Sequence, residues 1–109
     1  MSKIFYDHLI ILDEVEVEIN NLDLEHDERQ ELHDLIEETL HHRVLTRVLE
    51  VLPKVHHESF LKEFKKRPHD GALIDYINER IDDEVEKHVT EEIEKLKKEL
   101  LQDLKANRK

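Results

Sequence analysis

The chain has no cysteine and no tryptophan, a single glycine (Gly71), two prolines (Pro53 and Pro68) and few aromatic side chains. Each shortage excludes something. Without cysteine there is no disulfide framework, no thiolate zinc site and no cysteine nucleophile. One glycine cannot build a loop that cradles phosphate, and it leaves little turn chemistry for an all-β fold. Ser2 and Ser59 are the only serines, and neither sits in a nucleophile elbow. No apolar run approaches the ~20 residues of a membrane span. The apolar patch that ends at Leu12 meets acids from Asp13 onward, so it lacks the long core of a signal peptide. A cytoplasmic protein that is not an enzyme is the expectation.

What the chain has in excess is charge. Charged residues make up 41% of it, against roughly 25% in an average domain. The net charge is −11 and is unevenly spread. Residues 1–52 carry 14 acids and 4 bases, whereas residues 53–109 carry 14 acids and 13 bases. The first half repels phosphate, so neither duplex nucleic acid nor an anionic surface is the expected partner. A basic protein partner fits it better, although net charge also serves to keep a small helical protein in solution. A length of 109 residues suits one domain.

Apolar spacing predicts helices throughout. The first is expected over about residues 2–19, with Ser2 as cap and Ile4, His8, Ile11, Val15 and Ile19 at helical spacing. Residues 15–19 also alternate like a strand, but no second strand candidate exists to pair with them. After the polar break at Asn20, Asn21 and Asp23, a long helix is expected over residues 27–52, capped by Asp27 and stopped by Pro53. Its stripe begins narrow at Leu32, Leu35, Ile36 and Leu40. It then widens through Val44, Leu45, Val48, Leu49, Val51 and Leu52 until the helix is apolar nearly all round, as expected of a buried central post. Shorter helices follow over about residues 54–67 and 72–81, separated by the turn Pro68-His69-Asp70-Gly71. Val85, Val89, Ile93, Leu96, Leu100 and Leu104 then form one clean stripe on a helix over residues 83–106, with residues 107–109 expected to fray. The fold class is therefore all-α: a single-domain bundle of four or five helices with a long central and a long C-terminal helix. The last stripe is longer than the short helices can cover. It should dock on the first two helices or pair with a second copy, and a homodimer through the first or the last segment is the leading expectation.

Nine histidines are present. His33, Glu37 and His41 fall at i, i+4, i+8 and line one helical ridge, with Asp34, Glu38 and His42 on the next. Imidazoles and carboxylates at that spacing can hold zinc or another divalent ion, and a solvated polar face is the competing account. Glu38 and His41 also read as Glu-x-x-His, the half-motif of di-iron bundles, but a second copy is missing. The basic cluster Lys62, Lys65, Lys66 and Arg67 is interleaved with Phe60 and Phe64, whose i, i+4 spacing turns them toward a core rather than a nucleic acid.

Residues 38–53, ETLHHRVLTRVLEVLP, are followed by a short Phe-containing helix, a turn, a short Ile-rich helix and a long acidic-to-basic helix. In that order they resemble small uncharacterised all-helical proteins of candidate-phyla bacteria, a likeness that spans about residues 27–104. The first segment departs from it, since those proteins begin with a shorter leader. The resemblance implies the helical fold and assigns no activity or site residue. Taken together, the residues point to a non-catalytic, self-associating interaction module. A divalent-metal protein using His33, Glu37 and His41, and an acidic adaptor for a basic protein, are the alternatives.

Overall fold

The computed structural model describes residues 4–106. Among them five α-helices form: α1 (Asp13–Asn20), α2 (His26–Val51), α3 (His57–Lys66), α4 (Ala72–Asn78) and α5 (Val85–Ala106). Two short 3-10 turns, Asp7–Leu9 and Lys54–His56, precede α1 and α3. The alternating residues 15–19 are helical, with Val15 and Ile19 buried and Val17 exposed. Helices α2 and α5 run antiparallel, because Arg43 meets Glu92 and Glu99 while Arg47, one turn later, meets Glu91 and His88. The molecule measures 48 × 25 × 20 Å, with a radius of gyration of 15.7 Å. About 13 Å is typical of a compact domain of this length, so the long helices draw the bundle out.

The expected first helix does not form as one piece; its cap, Ser2, lies outside the described residues. Phe5 and Tyr6 are both buried, although neighbours on a helix point about 100° apart. The backbone resolves the conflict by turning. The Phe5 N–H donates to the Pro68 carbonyl at 2.8 Å, and the chain runs extended at Ile10 before α1 begins. His8 and Ile11, expected on the buried stripe, are exposed. Tertiary contact with the α3–α4 turn has overridden local periodicity.

The start of α2 also differs from expectation. Its N-cap is Glu25, not Asp27. Glu25 and Glu28 form a capping box, in which the Glu25 N–H donates to Glu28 Oε1 at 3.0 Å. Asp27 sits in the first turn, where its charge suits the positive end of the helix dipole. At the other end Leu52 is extended ahead of Pro53, and its carbonyl accepts a hydrogen bond from His57 Nε2 at 2.7 Å. Nor is α2 enclosed on every side. Leu40, Val44 and Val48 are buried, but Leu45, Leu49 and Val51 are only half-buried.

The core has two parts. The larger joins Phe5, Tyr6, Leu40, Val44, Val48, Leu52 and Phe60 to Leu73, Ile74, Ile77 and the α5 residues Val85, Val89, Ile93 and Leu96. Phe60 stacks on Phe64 with ring centres 6.1 Å apart, and both meet Phe5 edge-on. The smaller part contains only Val15, Ile19, Ile36 and Leu104, with Leu12 and Leu100 packed against both. The stripe of α5 is thus covered by α2, α1 and α4 of its own chain. Asn78 of α4 accepts the Val85 N–H at 2.7 Å, so one free donor of the α5 N-terminus is satisfied from a neighbouring helix.

Candidate functional site

The His33–Glu37–His41 ridge lies on the face of α2 that looks toward α1 and residues 4–12, and the structure divides it. His33 Nε2 lies 3.5 Å from Glu16 Oε2 of α1, while His41 Nε2 lies 3.6 Å from Glu37 Oε1. The other nitrogen of His41, Nδ1, is hydrogen-bonded to the buried Tyr6 hydroxyl. With the hydroxyl donating, the ring proton of His41 is left on Nε2, facing Glu37. Burial, reinforced by the nearby Asp7 and Glu37 carboxylates, pushes the Tyr6 phenol above its ordinary range, so it stays protonated and able to donate. Glu37 and His41 are thus brought together and His33 is taken to α1. Glu38 points to the outer face, and His42 is exposed beside Arg43 and Thr46. Among the described residues no group of three His, Asp or Glu side chains is gathered closely enough to hold a metal ion. A half-open cavity of about 230 Å³ lies under this ridge, floored by Ile10, Leu12, Val15, Ile36 and Leu40. That is smaller than the roughly 300–1,000 Å³ of sites for drug-sized ligands.

A second feature is the charged seam between α2 and α5. Arg43 donates to Glu92 Oε2 and Glu99 Oε1, with contacts of 2.9 to 3.0 Å. Arg47 reaches Glu91 at 3.1 Å and His88 at 3.2 Å, and His88 continues to Asp83 at 3.3 Å. The Arg43 guanidinium holds the Glu99 carboxyl below the usual carboxylate range. Lys97 bonds Glu14 at 3.1 Å, tying α5 to α1. These groups pair with one another across helices, although Arg47 Nε is buried without a hydrogen-bond partner. The outer face of α5 carries only a shallow hollow lined by charges of both signs and Thr90, with no apolar residue.

The third feature lies at the far end of the molecule, beside the smaller core. Leu22 and Leu24 from the α1–α2 connection, Leu32 and Leu35 from α2, and Leu104 from α5 line an open groove of about 660 Å³. Leu35 is 59% exposed although it belongs to the predicted apolar stripe. The groove is rimmed by Glu28, Glu31, Asp34 and Glu38. No base lines it among the described residues; Arg29 and Lys105, neighbours in sequence, lie outside. The other exposed apolar side chains, Ile11, Val17, Val55 and Leu61, belong to neither this groove nor the cavity. The pattern Glu31-Leu32, Asp34-Leu35, Glu38 was visible in the sequence. What could not be read there is that Leu35 stays exposed while its neighbour Ile36 is buried with Leu104.

Among the described residues no helix is long and apolar enough to cross a membrane. Comparison with known proteins finds no family, no curated protein and no solved structure that matches this chain. The functional reading therefore rests on the geometry.

Proposed function

We propose that this chain is a non-catalytic protein–protein interaction module that docks a basic segment of another protein in the leucine groove. The observation that carries it is the pairing of an open apolar surface with a rim of one sign. Leu35 is exposed and Leu22, Leu24 and Leu32 are half-buried in a groove edged by four carboxylates, whereas the stripe of α5, Leu104 included, is used inside the chain. Contiguous apolar patches on a small protein mark places where something else binds. The cavity under the His33–His41 ridge also joins apolar lining to carboxylates, but it is smaller and includes two histidines.

The α5 stripe and residues 4–19 raised the expectation of a homodimer, but they supply core residues to their own bundle. A face-to-face dimer through the groove would set one acidic rim against another, which is unfavourable. Sedimentation equilibrium at tens of micromolar tests this. A monomer mass is expected. A dimer that Leu35→Ser leaves intact would overturn the reading, because another face would then be the interaction surface.

A further inference from the structure

We infer that the occupant of the leucine groove is an amphipathic helix with a leucine-type stripe flanked by Lys or Arg, which packs beside the first half of α2. The inference rests on the docking reading above and names its partner. Leu32 and Leu35 stand at i, i+3 on α2, while Glu31 and Glu38 stand one heptad apart beside them. Glu31 and Glu38 lie one turn before and after Leu35, so apolar contacts and carboxylates share one face of α2. That is the arrangement by which paired helices set partner and register. From Glu28 to Glu38 the rim extends about 15 Å, at 1.5 Å per residue, or about three turns, so a partner of some 11 to 14 residues covers it. Leu22, Leu24 and Leu104 wall the opposite side, giving the groove that helix-in-groove recognition uses.

Charge selects among the candidates. An anionic membrane surface attracts basic segments and repels this rim, and nucleic acid is repelled in the same way. The chain's own basic ridge, Lys62 to Arg67 on α3, is exposed. Seating it in the groove of a second copy would make a head-to-tail contact, which propagates as an open chain unless it closes into a ring. Such a chain would appear as mass that grows without limit as concentration rises.

The test uses a fluorescent 14-residue helical peptide with leucines at i, i+3, i+7 and i+10 and lysines beside them, and a control with glutamate in place of every lysine. Anisotropy titrations are run on the wild type, on Leu35→Ser, and on the double variant Glu31→Lys, Glu38→Lys. All three positions are exposed, so the fold survives, and circular dichroism checks that it does. The lysine peptide should bind saturably and at least tenfold more tightly than the control. Raising salt should weaken it, since exposed charges are screened. Leu35→Ser should weaken it at least tenfold, and the double variant should exchange preference to the glutamate peptide. Equal affinity for both peptides, or no exchange of preference, would overturn the basic partner. If Leu35→Ser still weakened binding in that case, the groove reading would stand alone. No saturable binding of either peptide overturns the helix, and binding indifferent to Leu35→Ser overturns both.

Discussion

The two ends of this bundle are built to different standards. Where α2, α3, α4 and α5 meet, Phe60, Val44, Val48 and Ile77 are fully buried, five aromatic rings lie in mutual contact, and Arg43 and Arg47 bind α2 to α5. At the other end four buried residues hold α1 against α2 and α5, and Leu35 remains exposed beside half-buried Leu22, Leu24 and Leu32. Both ends are made of the same acidic helices. The difference is coverage. A helix stripe is core where another helix crosses it and a binding surface where none does. The dense end supplies the stability that lets the sparse end leave Leu35 exposed.

Substitutions can break or sharpen that contrast. The largest effect is expected at Phe60. Phe60→Ala should cost about 3–5 kcal/mol, while Leu104→Ala in the smaller cluster should fall near 2 kcal/mol, the low end for such truncations. Urea denaturation of both variants decides it, and equal losses would remove the contrast. Next comes the seam. Arg43→Met should cost about 1–2 kcal/mol, since charge-assisted hydrogen bonds are lost but the pair is partly open to water. The same variant has a pH signature. Glu99 is held below its ordinary value in the folded state, chiefly by its hydrogen bond from Arg43. The unfolded chain therefore takes up that proton at higher pH. Stability from this group is present above about pH 4.5 and is lost as pH falls through the lowered value. Urea melts between pH 3 and pH 6 should show a shallower acid slope in Arg43→Met than in the wild type.

A smaller effect of opposite sign is expected at Gly71. Its φ of −59° is ordinary for any residue, and an added Cβ would meet nothing within 4 Å. Asp70 already caps this start by accepting the Ala72 N–H at 2.9 Å. Gly71→Ala should therefore raise stability by about 0.4–1 kcal/mol by stiffening the unfolded chain, seen as a higher Tm. Smallest is Leu35→Ser, at about 0.5 kcal/mol or less, because the side chain already lies largely in water.

The long helices were legible because their signals are local. The 4, 4, 3, 4, 4 spacing on α5 and the run into Pro53 on α2 each match helical geometry over several turns. The inward turn of Phe60 and Phe64 followed from their i, i+4 spacing. Less was legible where distant parts decide. The break before α1 follows from Phe5 bonding Pro68, more than 60 positions away. His33 and His41 share a ridge, but Glu16 and Tyr6 from other segments draw them to different partners. Arg43 and Arg47 announced a common face by their spacing of four. That it would meet Glu91, Glu92 and Glu99 required knowing that α5 runs antiparallel beside it. The groove was hidden for the same reason, since nothing local to Leu35 tells whether a later helix will cover it.

The most direct test measures folding and docking in the same sample. Wild type and Leu35→Ser are compared for Tm and for anisotropy with the leucine–lysine peptide. The account predicts a Tm within a few degrees of wild type, as expected for a change of about 0.5 kcal/mol, together with at least tenfold weaker peptide binding. A large drop in Tm with unchanged affinity would contradict it, because Leu35 would then belong to the core rather than to a docking surface.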